Sequence, residues 1–583
     1  MNRNAKIVCT LGPASADRNT VTDLANAGMS VARLNASHGS ADERRRLVEL
    51  VRDVDDRTAQ PIATLLDLPG PEVRTAPVDT PITLPDGASV EFVEGDGATA
   101  ERIGLSRPID GATVGDTVLL DDGHIEATVT AVDDGVVTAR VDSGGDLKSR
   151  AGVNVPGVDL DLPTITDADR QELDLAADIG VDFVAASFVR SAEDIYDISA
   201  ELEDRGADIP IVAKIERAEA VDNVDEIIEA AYGVMVARGD LGVECPLEEV
   251  PLIQKRIVRQ CHRAGVPVIT ATEMLDSMIH SRRPTRAEAS DVANAVLDGT
   301  DAVMLSGETA IGDHPVRVVE TMCRIIEDAE DSDEYDELLE QRVPPADGTK
   351  TGALARSARF LSRDVDAEAI VAASESGYTA RKAAKYRPNI PIVAATPNDA
   401  VRRQLALSWG IIPEQAVHSA ASADAVIQGA VQAAIEAGVA ESGDTVAVLS
   451  GMMTQLEGLD TANMLKVHVA SETLASGRSV VAGYAAGPLF RVDDGDITDL
   501  PEGAILAVPD EFEGEFTGDL SAIGGIVDEH GGLTSYAAIV AREIDVPLVG
   551  AATLPDIADG TEVTIDGERG VVYAGPVEDA DRQ

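Results

Sequence analysis

The stretch PIVAKIERAEAVDNVDEIIEAAYGVMVARGDLG, residues 210–242, decides the fold. It opens on a β-branched run, passes through an amphipathic helical segment, and closes on a second apolar run that ends in a charged cluster. Strand, helix, strand within one short stretch is the signature of a βα repeat feeding a parallel sheet. The same alternation extends outward from residue 5 to about 330. The runs read as strands are AKIVCTLG from Ala5, SVARLN from Ser30, PIATLLDL from Pro61, VDFVAASF from Val181, PIVAKIE from Pro210, YGVMVARGD from Tyr232, VPVITAT from Val266 and DAVMLSGE from Asp301. Eight such runs predict a closed (β/α)8 barrel, and their polar ends (RLN, LLD, KIE, RGD, SGE) would meet at its C-terminal mouth.

One spacing is wrong for a plain barrel. Between the third and fourth runs lie segments such as ASVEFVEG, DTVLLDDG, HIEATVTAV and GVVTARVD, alternating apolar with polar and punctuated by Gly and Asp. That pattern predicts strands and tight turns, hence an inserted all-β domain placed to close over the mouth as a lid. The acidic stretch EDSDEYDELLEQRVPPADGTK reads as a helix end and a linker. EAIVAAS, IPIVAATP and DTVAVLSG then predict parallel strands of a second α/β domain, and from Ser471 the chain turns to short strands and Gly-rich turns. The fold class expected is α/β: a (β/α)8 TIM barrel over residues 1–69 and 157–345, a β lid over 70–156, an α/β domain over 346–470 and a small extra β/α domain over 471–583.

The chain has 583 residues, more than one core supports, and 47 basic against 104 acidic side chains, a formal charge of −57. Nucleic acid and anionic membrane are poor partners for such a surface. Apolar residues make 44% of the chain, so the acid excess belongs to a folded protein rather than a disordered one. Self-repulsion of this size is tolerated where molar salt shortens the screening length to about 3 Å, which points to the cytosol of a salt-adapted cell. Cys9, Cys245, Cys261 and Cys323 show no zinc spacing and read as buried small hydrophobes of a reducing compartment. No run reaches the length of a membrane span, and the N-terminus has no secretory pattern, so a cytoplasmic protein is expected.

The strand ends carry chemistry. Lys214 and Glu216, two apart, can both face the mouth, and MVARGDLG presents Gly239 and Asp240 beside them. Two carboxylates with room for water suit magnesium, and an adjacent ammonium completes an arrangement that neutralises a phosphoryl group in transfer. Here the chain resembles the pyruvate kinase family. KIVCTLGPAS, RLNASHG, LLDLPGPEVRT, NVPGVDLDLP, AKIER, VARGDLGVE, PTRAEASDVANAV and MLSGETA lie in the family's order, and the resemblance covers about residues 1–470.

The resemblance implies transfer of phosphoryl from phosphoenolpyruvate to ADP, giving pyruvate and ATP, with Mg2+ or Mn2+ and K+, by a homotetramer. It gives Arg33 the phosphoryl group, Glu216 and Asp240 the divalent ion, and Asn35, Ser37, Asp67 and the Leu68 carbonyl the potassium. Gly239, Asp240 and Thr272 would face substrate, Lys214 would stabilise the phosphoryl in flight, and Thr272 would relay a proton to the enolpyruvate. Arg74 would contact the nucleotide phosphates, with His38 a nucleotide contact or a structural histidine. Leu68 and Pro69 replace the family's commoner Thr and Lys; the carbonyl survives that change, the lysine's charge does not. Glu72 is the residue of potassium-requiring members, where potassium-independent ones have Lys.

In SESGYTARKAAKYRP, Ser374, Ser376 and Thr379 resemble the family's sugar-phosphate effector site, a loop opening onto a helix start; an ordinary capped helix is the alternative. The last domain, with EHGGLTSYAAIVAREIDVPLVGA, resembles the swivelling phosphohistidine domain of phosphoenolpyruvate synthase and pyruvate phosphate dikinase. Tyr536 stands where those enzymes carry the phospho-acceptor His, and a phenol cannot take and return phosphate as imidazole does. His530 lies nearby as a shifted acceptor, and Thr534 has no assigned role. The alternatives are therefore a synthase or dikinase acting through a phosphohistidine, and a non-catalytic regulatory homologue.

Overall fold

The computed structural model describes residues 3–158, 160–416, 423–451, 462–512, 514–530 and 532–577. By its contacts the chain divides into two units, residues 1–345 with 400–411 and residues 346–399 with 412–583.

In the first unit the eight expected runs form eight parallel strands: Lys6–Thr10, Val31–Asn35, Ala63–Asp67, Phe183–Ala186, Ile211–Ile215, Gly233–Ala237, Val268–Ala271 and Ala302–Leu305. They close into a barrel, the first strand pairing with both the second and the last. Helices cover the outside, so nearly every strand residue is buried and the strands read as continuous apolar runs rather than alternating ones. Val8, Val31, Leu65, Phe183, Val212, Met235 and Ile269 fill the interior. The barrel is thus a packed core, and function is confined to its rim.

The insertion is all-β. A seven-stranded sheet uses Val73–Arg74, Ser89–Glu94, Arg102–Leu105, Thr117–Leu120, Ile125–Asp133, Val136–Ser143 and Gly152–Asn154, and a two-stranded sheet pairs Ile82–Leu84 with Gly145–Leu147. The chain enters it through Gly70, whose φ of +72° favours glycine and where a Cβ would lie 2.7 Å from Ser187 Cβ. The Gly70 amide donates to Asp169 Oδ1 at 2.9 Å, tying this joint to the helix Asp167–Ile179.

Residues 400–411 cap the opposite end of the barrel, which sequence patterning did not reveal. Leu407 is fully buried within the barrel core. Arg402 pairs with Asp55 at 3.1 Å and Arg403 with Asp182 at 2.9 Å, while Trp409 Nε1 donates to Tyr335 OH at 2.9 Å. Lys6 Nζ donates to the Ile411 carbonyl at 2.7 Å.

Among its described residues the second unit holds two sheets. The first orders Ile411–Gln415, Ile392–Thr396, Ala369–Ala373, Thr445–Ser450 and Met464–Val469. The three strands read from sequence pair in parallel as expected, Ala369–Ala373 lying between the other two. The Met464–Val469 strand, antiparallel to its neighbour, was not anticipated: it lies at the edge, half-exposed, and lacks the apolar run of a central strand. The second sheet has eight strands from Thr473 to Ala574, and the helix Tyr536–Ile544 packs on it through Ala537, Ala538, Val540 and Ala541. Among the described residues, no helix is long and apolar enough to cross a membrane.

Lys6 yields a test of the capped end. Burial, and next the charge of Arg3, lower its ammonium from the ordinary lysine range to about 7, against the opposing pull of Glu330 and Asp301. Between pH 7 and the unfolded lysine value the unfolded chain binds a proton that the folded chain lacks, so folding stability rises with pH there. Lys6→Met should remove up to about 1.4 kcal/mol per pH unit of that slope, read by denaturant titration of both proteins between pH 7 and 9. Equal slopes would refute the assignment.

Candidate active site at the mouth of the barrel

The site grows from Asp67, the last residue of the third strand and 1% exposed. Arg33, from the second strand, grips it twice, through Nε at 2.7 Å and Nη2 at 2.6 Å. Lys214, from the fifth strand, reaches its other oxygen at 3.3 Å and Glu216 Oε1 at 2.8 Å. Strand register makes this possible, since Arg33 pairs with Leu65 and Asn35 with Asp67 in adjacent positions. Burial pushes the Asp67 carboxyl up, but Lys214 and Arg33 outweigh it and hold the group below the usual carboxylate range. The same burial opposes the Lys214 charge, yet Asp67 and Glu216 prevail and keep it above the ordinary lysine range. Both groups therefore stay ionised across physiological pH.

Asp240 completes the row at the start of the short helix Arg238–Glu244. Burial, and then the charge of the Glu216 carboxylate to which it is hydrogen-bonded, raise it to about 7. These two carboxylates, beside the Lys214 ammonium, make an acidic corner whose mutual repulsion a cation would relieve. This donor set fits a magnesium-type ion, which takes one or two carboxylates and keeps several waters. Among the described residues no group of three or more His, Cys, Asp or Glu forms a metal cluster.

A second oxygen-rich corner lies beside it. Asn35 Oδ1 accepts from the Ser37 amide at 3.0 Å, and the Leu68 carbonyl accepts from Ser187 Oγ at 2.7 Å. With the Ser37 hydroxyl and Asp67, this is an all-oxygen set that fits a hard monovalent cation. His38 meets Asn35 Nδ2 through Nδ1 at 3.4 Å, and its carbonyl accepts from Arg44 Nη1 at 2.8 Å.

Arg33, Asn35, Ser37, His38, Lys214, Glu216 and Asp240 line a cavity of about 1180 Å3 between barrel and insertion, with Asp67 buried beneath them. Arg74, Leu119, Asp122, Gly123 and His124 face it from the insertion, and Gly239, Thr272 and Glu273 from the barrel. Arg74 is paired with Glu72 at 2.6 Å and also donates to the Arg150 carbonyl at 3.0 Å. Burial raises the Glu72 carboxyl, against the pull of Arg74. Gly239 admits a close approach: a Cβ there would lie 2.8 Å from Thr272 Cγ2.

The sequence reading missed Ser187 and Arg238. Ser187 Oγ accepts from Lys214 Nζ at 2.7 Å while donating to the Leu68 carbonyl, so one hydroxyl joins both corners. Its signal was present in VAASF, a strand end like the others. The Phe188 amide, at φ +57°, donates to Glu216 Oε2 at 2.7 Å. Arg238 lies within VARGDLG, where no sequence pattern sets it apart from an ordinary strand-end cation.

In the second unit, Ser374 follows the strand Ala369–Ala373 and is buried, Ser376 Oγ accepts from the Tyr378 amide at 3.4 Å, and Thr379 is buried in the helix Tyr378–Ala384. Lys382 and Lys385 of that turn reach Asp347 at 2.7 and 3.5 Å. Farther along, Tyr536 packs on Phe516 with ring centroids 5.3 Å apart, and its phenol oxygen accepts from the Phe516 amide at 3.2 Å. His530 is exposed and bonded to Asp510 at 2.8 Å, and Thr534 lies in the turn before the helix.

A (β/α)8 enzyme with a fixed ammonium, a fixed guanidinium and paired carboxylates at its mouth is built to handle a multiply charged anion. Comparison with known proteins narrows this class. The family models for the pyruvate kinase barrel domain, the pyruvate kinase alpha/beta domain and the mobile domain of PEP-utilising enzymes match residues 2–319, 352–468 and 500–570. The pyruvate kinase of Geobacillus stearothermophilus is 44% identical over 591 residues, 99% of each chain. Those of Bacillus licheniformis and Staphylococcus aureus are each 41% identical over 587 residues, 98% of this chain and 99% of theirs. The chain belongs to the pyruvate kinase family, and is a phosphotransferase.

Ser187 provides a test. Ser187→Ala removes a hydroxyl acceptor from Lys214 and the donor to the Leu68 carbonyl, leaving a buried ammonium less well paired. Loss of such a polar contact should lower kcat by about 10- to 100-fold, a cost of about 1–3 kcal/mol. A steady-state assay giving parental kcat would show that the bridge has no bearing on turnover.

Proposed function

We propose that the protein transfers the phosphoryl group of phosphoenolpyruvate to ADP, giving ATP and pyruvate, at the barrel mouth. The observation that carries this reading is the unbroken row Arg33, Asp67, Lys214, Glu216, Asp240, in which two permanent cations face the cavity beside a pair of carboxylates. Arg33 would orient the phosphoryl group by its planar fork, and Lys214 would meet the charge that spreads over the equatorial oxygens in flight. Glu216 and Asp240 would hold Mg2+ or Mn2+, and Asn35, Ser37, Asp67 and the Leu68 carbonyl would hold K+. These ions supply charge neutralisation for phosphate oxygens when bound. Arg74 would exchange its Glu72 partner for nucleotide phosphates, with His38 beside it. Gly239 and Asp240 would border the substrate, and Thr272 would pass a proton to the enolpyruvate.

We assign the barrel to residues 1–69 and 157–345, the lid to 70–156, the effector-binding domain to 346–470 and the appended domain to 471–583. Lid movement about Gly70 would exclude water and so limit hydrolysis of the substrate. Ser374, Ser376 and Thr379 would bind a phosphorylated effector, and the protein would act as a homotetramer in the cytoplasm of a salt-rich cell. The appended domain would serve structure or regulation. Tyr536, packed on Phe516, leaves no imidazole at the acceptor position for a synthase or dikinase reaction.

The test is a coupled pyruvate assay with phosphoenolpyruvate, ADP and Mg2+ in concentrated KCl against NaCl. Turnover is expected in KCl and should be lost on adding a chelator; no ADP-dependent turnover in either salt would overturn the reading. Glu72→Lys should place an ammonium near the potassium oxygens and restore turnover in NaCl, while the parental chain stays dependent on KCl. Lys214→Met should lower kcat by at least ~10²- to 10³-fold, as loss of a fixed transition-state donor does, and unchanged kcat would refute the role given to Lys214.

A further inference from the structure

The loop that carries Thr272 is held in a conformation its sequence resists. Thr272 has φ +76° and Glu273 φ +55°, both left-handed, and a β-branched threonine is sterically opposed there. Backbone of this kind persists only where surrounding contacts over-determine it. Glu308 and Glu288 pin the loop further along, accepting from the Leu275 amide at 3.1 Å and the Ser277 amide at 2.6 Å.

Arg238 restrains Thr272 itself. Its Nε donates to the Ala271 carbonyl at 3.0 Å and its Nη2 to the Thr272 carbonyl at 2.7 Å, so one guanidinium grips two successive peptide groups at the strand end. Nη2 also meets Met274 Sδ. Asp291, on the helix Arg286–Asp298, fixes the guanidinium by a forked pair, with Nη1 and Nη2 each 2.7 Å from a carboxylate oxygen. Arg238 also immediately precedes Gly239 and Asp240. The grip on Thr272 and the carboxylate at the cation corner are therefore set by one short piece of backbone.

We propose that Arg238 is a positioning residue for the proton-transfer half of the reaction: its guanidinium, clamped by Asp291, holds the Thr272 backbone so that the hydroxyl faces C3 of enolpyruvate. This rests on the reading of Thr272 as proton relay. In that step a C3–H bond forms as the Thr272 O–H bond breaks, the enolate electron pair moves to make the C2 carbonyl, and water at the mouth returns a proton to the threonine. A displaced hydroxyl would leave phosphoryl transfer and substrate contacts in place while slowing protonation. Lysine cannot substitute, because a point charge lacks the fork that holds two carbonyls and a carboxylate together.

The experiment follows deuterium incorporation into the methyl group of pyruvate in D2O, by NMR, with Mg2+ and K+ present, beside steady-state kinetics and thermal melting. Arg238→Lys should slow both exchange and kcat by ~10²-fold, the scale of a misplaced reacting group, with KM for phosphoenolpyruvate within about threefold of the parental value. Asp291→Asn, a smaller change, should slow exchange by ~10-fold through loosening of the same fork, and it decides the matter if Arg238→Lys does not fold. Exchange within about twofold of the parental rate in folded Arg238→Lys, or in Asp291→Asn if that alone folds, would overturn the proposal. Thr272→Ala separates the two readings: parental exchange there would refute the relay itself, whereas slow exchange there with parental exchange in the folded Arg238 variant refutes only the role of Arg238.

Discussion

A single buried carboxylate organises the mouth of this barrel. Asp67 lies almost out of reach of solvent, and an ionised carboxyl in that position is costly unless cations repay the lost hydration. Arg33 does so from the neighbouring second strand and Lys214 from the fifth, two strands away on the other side, and in return they are held rigid, charged and aimed into the cavity. The ion pairs contribute little certain stability, since burial of both partners offsets much of their attraction. Their effect is geometric: two long, flexible side chains lose their freedom before any substrate arrives, so that cost is not met again during turnover.

The rest of the site follows from that anchor. Lys214, fixed by Asp67, pairs with Glu216, whose carboxylate leaves Asp240 in an excess of negative charge that a divalent cation would relieve. Ser187 carries the same network to the Leu68 carbonyl and the neighbouring oxygens. The strained Phe188 and Thr272 backbones border the same space, as expected where structure is spent on positioning rather than on stability.

Much of this was legible in the sequence because parallel barrel strands are both apolar along their length and polar at one end. The eight runs, the interrupting β segment and the strand-end residues Arg33, Lys214, Glu216 and Asp240 all announce themselves by pattern. What escaped was tertiary. Ser187 is one hydroxyl at a strand end, and only the folded chain shows that it bridges Lys214 to Leu68. Leu407 and Trp409 read as ordinary residues of the α/β region, yet they seal the far end of the barrel through contacts with residues more than seventy positions away. The Met464–Val469 strand lies at a sheet edge, where half-exposed residues give a weak period.

The central claim, that Asp67 sets the phosphotransfer site by fixing Arg33 and Lys214, is tested most directly by following phosphorus NMR of the full chain and of Asp67→Asn with phosphoenolpyruvate, ADP, Mg2+ and K+. The account predicts that the parental chain moves the phosphorus signal into the γ-phosphate of ATP. The folded variant should do so at least ~10²-fold more slowly, as expected when the reacting groups lose their fixed geometry. A folded Asp67→Asn protein that makes ATP at the parental rate would contradict it.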